Sequence, residues 1–172
     1  MAIIASDIEV RLSGGASNTS PAAALGGAMS TVAGGVITTN VLNNLFDDVS
    51  GDESAAGDIE YRGIYVKNNH GSLTWQTVKA WLSSLTTSTD DELAIALADE
   101  GLNAAMETIA DESTAPTGPS FSSPVSKATG LSLGNIPFGQ YYGIWVRRTV
   151  TAAAAAIDAN SGELSCEGDT SE

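Results

Sequence analysis

The clearest periodicity in the chain lies between Asp58 and Asn68. There DIEYRGIYVKN sets Ile59, Tyr61, Gly63, Tyr65 and Lys67 on one face and Glu60, Arg62, Ile64 and Val66 on the other. Aromatic and β-branched residues on both faces predict a strand covered on both sides over part of its length. Residues 7–12, DIEVRL, alternate with Ile8, Val10 and Leu12 on one face, the period-two pattern of a half-buried strand. In ELAIALADE, residues 92–100, Leu93, Ile95 and Leu97 alternate against three alanines and predict a strand, although alanine is a poor strand former. GLSLGNIPFGQYYGIWVRRTV, residues 130–150, predicts two strands joined by an IPFGQ corner, the second burying Tyr142, Ile144, Val146 and Val150. GELSCEGDT near the end predicts a last short strand with Leu164 and Cys166 on one face.

Two segments fit more than one template. In LTWQTVKAWLSSL, residues 73–85, Val78, Trp81, Leu82 and Leu85 satisfy helical spacing. The same residues alternate as a strand, with Leu73, Trp75 and Trp81 opposite Val78, Ala80 and Leu82. In VITTNVLNNLFDDV, residues 36–49, Val41, Leu42, Leu45 and Phe46 suit a short helical turn or an irregular strand. Between them lie breakers. SGGASNTSPAAALGGAMSTVAGG, residues 13–35, has Gly, Ser and Pro clusters that exclude a long regular element and predict an extended arm or long loop. DESTAPTGPSFSSP, residues 111–124, predicts an exposed connection. Seven or eight short strands separated by Gly/Pro turns point to an all-β chain. The expected architecture is a single antiparallel β-sandwich of immunoglobulin-like or jelly-roll-like type, one domain over residues 1–172 with the arm at 13–35.

Composition narrows the functions such a fold could serve. Twenty-one Asp and Glu against seven Lys and Arg give a formal charge of -14. That surface repels phosphate backbones and anionic headgroups, so neither nucleic acid nor a membrane is an expected partner. Cys166 is the sole cysteine, which excludes a disulfide within the chain. MAIIASDIEV has neither a basic nor an apolar leader region, and no apolar run reaches membrane-spanning length, so a soluble protein made in the cytoplasm is expected. The eighteen glycines and many alanines leave few large side chains for the core.

Candidate chemistry is sparse. The acidic stretch SGDESAAGD, residues 50–58, invites comparison with a calcium loop. Counting from Asp52 puts Ala56 and Gly63 where two oxygen ligands are required, so the stretch reads as a solvated turn. A looser cation site could draw only on Asp47, Asp48, Asp52 and Asp58. His70 is the only histidine, in the turn-like NNHGS, which rules out a multi-histidine zinc site. Cys166 falls in a strand pattern and reads as a small buried hydrophobe. The chain contains no phosphate-binding G-x-x-x-x-G-K-[ST] loop, and its one G-x-S-x-G string, GLSLG at residues 130–134, falls within a predicted strand and not in the strand-to-helix turn that a nucleophile elbow requires. The doublets Asp47-Asp48, Asp52-Glu53, Asp90-Asp91-Glu92, Asp99-Glu100 and Asp111-Glu112 fall in turns or at element ends, where charges are normally solvated. Trp75, Trp81 and Trp145 could make a sugar-stacking platform or serve as core anchors. No catalytic, cofactor-binding or metal-ligating residue is assigned, and no cofactor is expected. Arg147 and Arg148 must point to opposite faces of their strand, which requires a carboxylate partner or a marginal position for Arg148.

Taken as ordered segments, NLFDDVSGDESAAGDIEYRGIYVKN, LTWQTVKAWL, DESTAPTGPSFSSP, LSLGNIPFGQYYGIWVRRTV and the terminal GDT resemble a family of small virion structural proteins of tailed bacteriophages, over residues 6–170. The resemblance lies in whole segments and not in a catalytic motif. It implies a β-sandwich that builds the particle without enzymatic activity, and it tips residues 73–85 towards a strand. The implied role is capsid decoration or cementing of the major capsid lattice, with a tail, baseplate or head-to-tail component as the alternative. It also implies localisation to the virion and partners among the major capsid protein, other virion proteins and further copies of the chain. The glycine-rich arm could then lie across a neighbouring subunit. A carbohydrate-binding sandwich is the competing reading from a different class.

Overall fold

The computed structural model describes residues 2–170. Nearly all the regular structure among them is β. The strands are β1 (Ile8–Leu12), β2 (Gly26–Gly27), β3 (Asp58–Asn68), β4 (Trp75–Ser84), β5 (Asp91–Leu97), β6 (Met106–Thr108), β7 (Leu131–Ile136), β8 (Tyr141–Val150) and β9 (Glu163–Thr170). One short α-helix, α1 (Gly51–Ala56), accompanies them. A four-stranded sheet in the order β1-β3-β8-β5 faces a three-stranded sheet in the order β7-β4-β9, and β2 pairs with β6. Every pairing is antiparallel, as the all-β sandwich expectation required.

The inner layer follows from the alternation. Ile64, Val66, Ile95, Ile144 and Val146 of the four-stranded sheet pack against Trp75, Val78, Ala80, Leu82, Leu133 and Ile136 of the other. Leu45 and Phe46 add to this cluster from the segment that follows the arm. That segment is neither helix nor strand: Val36 makes one bridge to Arg11, and turns follow to residue 46.

β4 is a strand whose faces differ from simple alternation. Trp75 was expected opposite Val78, yet both lie in the inner cluster. The register shifts between Trp75 and Val78, and Thr77 there takes φ 51°. The extra bulge residue turns the indole inward.

The outer face of the four-stranded sheet is buried as well, which explains the apolar residues on both sides of β3. Tyr61, Tyr65, Ala96 and Trp145 form a second cluster with Met29, Met106 and Ile109. Residues 13–35 fold back over their own subunit: Ala24 is fully buried, and Gly63 N donates to Ala24 O at 2.7 Å. The region is therefore a long loop held within the chain, and not an arm awaiting a neighbour. Residues 111–124 form the largely exposed connection expected of them, fastened to the fold near its end. Ile95 and Ser122 exchange backbone bonds at 2.8 and 3.0 Å, and Phe121 packs edge-on against Tyr61 at 5.5 Å.

Glycine lets this cover approach closely. A Cβ on Gly26, at φ +86°, would fall 1.7 Å from Glu107 O, and one on Gly143 would fall 2.7 Å from Met106 Cγ.

Candidate functional site

Polar side chains gather in two places, one inside the sandwich and one on the covered outer face. Inside, cross-strand register sets Glu60 directly opposite Arg148. Residues 60, 62 and 148 share the inward face, so three charged side chains enter the core at the end where β3 begins and β8 ends. Glu60 is 1% exposed and Arg62 1%. Arg148 donates from Nε and Nη2 to Glu60 Oε2, and from Nη1 to Asp47 O at 2.5 Å. Arg62 reaches Glu60 at 3.5 Å and Glu112 at 2.5 Å, while its buried Nε has no partner. Phe46 lies between the two guanidinium groups, 5.5 Å from that of Arg62 and 5.1 Å from that of Arg148.

Burial pushes the Glu60 carboxyl above its ordinary value, against the opposing pull of Arg148 and Arg62. Arg148 thus has the carboxylate partner its inward position demanded, and the partner comes from its own chain. The loop bearing Phe46 and Asp47 is held across this end by both arginines.

On the outer face the organising group is the Tyr65 hydroxyl. It accepts from Met106 N at 2.7 Å and donates to Gly27 O at 2.5 Å, tying β2 and β6 to β3. Burial pushes its pKa up to about 12. Ser13 Oγ adds a further tie by accepting from Gly26 N at 3.0 Å. Above this lies a cleft of about 410 Å³, lined by Gly14, Gly15, Leu25, Gly27, Thr108 and Ile109 with no charged side chain.

The acidic stretch 50–58 is not the turn expected from its composition. Ser50 caps α1 by accepting from Glu53 N at 3.2 Å, and Glu53 Oε2 accepts from Ser50 N at 2.6 Å. This reciprocal box places Asp52 and Glu53 in the first helical turn, where negative charge is favoured. The S-x-x-E spacing carried that signal. Asp47 instead sits 3.6 Å from Arg148. Among the described residues no three His, Cys, Asp or Glu side chains come together in a way that could hold a metal.

Three further acids fasten loops. Glu100 accepts from Glu107 N at 2.6 Å, Glu107 from Thr117 N at 2.7 Å, and Asp111 from Ser113 N at 3.1 Å. His70 closes a turn: its Nδ1 accepts from Ser72 N and Leu73 N at 3.1 and 3.0 Å, which places the ring proton on Nε2. Cys166 packs against the inner cluster, and burial pushes its thiol up to about 12.

The three tryptophans are dispersed. Trp75 is buried between the sheets, Trp145 is buried under the outer cover, and Trp81 is half-buried on β4. Two buried rings in different layers leave no coplanar stacking platform. Arg147 points outward, as strand alternation required, and stacks on Phe121 at 5.2 Å.

Searches against protein-family models, curated proteins and solved structures find no match to this chain.

Proposed function

We propose that this chain is a non-enzymatic structural component of a tailed-phage virion, acting as a capsid decoration or cement protein on the major capsid lattice. The resemblance of its ordered segments to that class of protein motivates the reading. The observation that carries it is the double fastening of β3. This strand of 11 residues pairs with β8 along nearly its whole length. It is fixed on one face by the Glu60–Arg148 contact and on the other by the Tyr65 hydroxyl. A clamp between neighbouring subunits has to transmit tension without opening, and a central strand held in three layers suits that task.

Because residues 13–35 are committed to their own subunit, contact with the lattice falls to the sheet edges and connecting loops. Many copies placed by symmetry then supply avidity that no single contact needs to reach. Quantitative mass spectrometry of purified particles tests the role. The chain is expected in a copy number that is a simple fraction of the major capsid protein. A few copies per particle would instead indicate a tail or head-to-tail component, and absence from the particle would overturn the reading.

A further inference from the structure

The two facing sheets have four edges, and they are not equivalent. The outer edge of β1 is occupied by Ile37, whose N donates to Val10 O at 2.8 Å, and by the Arg11–Val36 bridge. The outer edge of β5 is occupied by Ser122 through its exchange with Ile95. β9 carries Glu163, Glu167 and Asp169 along one face, so two copies meeting there would bring six carboxylates together. β7 is different: LSLGNI contains no charge and no proline, and its Ser132, Gly134 and Asn135 are exposed. Among the described residues no backbone hydrogen bond reaches its outer side. Uncapped, uncharged edges are templates for strand pairing, and proteins that remain monomeric normally blunt them with Lys, Pro or a covering loop.

The chain on either side of β7 continues the same line. Pro124 O accepts from Leu82 N at 2.8 Å, on the side of β4 that β7 occupies further along. Val125, 57% exposed, therefore lies beyond one end of β7, and Phe138, 56% exposed, follows its other end. When two copies pair antiparallel about a two-fold axis, the N-terminal end of one strand meets the C-terminal end of the other. Val125 of each copy then lies towards Phe138 of its mate.

We infer that β7 is a self-association edge, at which a second copy of this chain adds antiparallel to form a continuous six-stranded sheet ordered β9-β4-β7-β7-β4-β9. The charge distribution selects this occupant and this edge. A chain of net charge -14 repels its own copies least where an edge carries no charge, and of the two free sheet edges β7 is uncharged while β9 is acidic. Added salt screens the repulsion and tightens the dimer, the opposite of an association held by ion pairs. This inference does not depend on the particle role.

Sedimentation velocity on the full chain, up to about 1 mM protein, tests it. The expected result is a dimer that strengthens with salt and is weakened at least tenfold by Ser132→Lys, with Glu163→Lys on the β9 edge leaving it intact. Circular dichroism checks that each variant is folded. Hydrogen exchange on the unmodified chain gives a second measure, with slower exchange of β7 amides as concentration rises. A monomer at every concentration and salt, a dimer indifferent to Ser132→Lys, or β7 exchange independent of concentration would overturn the assignment.

Discussion

The hydroxyl of Tyr65 lies 2.7 Å from the backbone nitrogen of Met106, and this contact fastens the outer cover to the four-stranded sheet. The same oxygen donates to Gly27 O, so one side chain satisfies groups from two separate segments. Tyr65→Phe keeps the ring and strands both backbone groups. A loss of about 1–3 kcal/mol in urea unfolding is expected, together with faster exchange of the Met106 amide. Unchanged stability would mean that packing alone holds the cover.

Tyr65 also sets the alkaline limit of the fold. Burial raises its pKa from 10.0 to about 12, so the folded chain keeps a proton that the unfolded chain releases. Its contribution is therefore complete below pH 10 and is lost as pH rises through about 12. The full effect is about 2–3 kcal/mol. Absorbance titration should show a phenolate step near pH 12 that Tyr65→Phe removes.

The buried pair of Glu60 and Arg148 should behave asymmetrically. Glu60→Gln leaves two arginines in the core with less compensation and is expected to cost about 3–5 kcal/mol in denaturant unfolding. Replacing both members, Glu60→Leu with Arg148→Leu, removes the desolvation cost along with the attraction and should recover most of that loss. A double variant as unstable as the single one would show that the pair is worth more than its burial costs.

Thr77 is a β-branched residue at φ 51°. Its hydroxyl donates to Asp169 at 2.6 Å, and its nitrogen donates to Asn135 Oδ1 at 2.9 Å. Left-handed backbone disfavours a branched Cβ. Thr77→Gly relieves that strain at the loss of one exposed hydrogen bond, and a gain of about 1 kcal/mol is expected by thermal unfolding.

Cys166 should react slowly while the chain is folded. Its thiol is raised from 9.0 to about 12, which lowers the thiolate fraction near neutral pH on the order of a thousandfold. Thiol-reactive dye should label it only as the chain unfolds.

The inner sandwich is legible in the sequence because period-two alternation writes burial directly. Ile64, Val66, Ile144 and Val146 all lie where their spacing puts them. Trp75 is misplaced by alternation because one bulge residue reverses every face before it, and nothing in WQTVKAW marks Thr77 as that residue. The cover of residues 13–35 is opaque for another reason. Its contacts are backbone bonds and glycine-sized gaps, which leave no hydrophobic period to read. The Arg148 partner could be demanded from alternation, but naming Glu60 needed the register between β3 and β8. The helix at Ser50 was readable from its capping box, obscured by the small residues that follow.

Imaging purified particles at a resolution that traces chains tests the central claim most directly. The expected density lies on the outer capsid surface between neighbouring major capsid subunits, with residues 13–35 folded over their own β3 and β8. Density for this chain confined to the tail, or none in the particle, would contradict the decoration role.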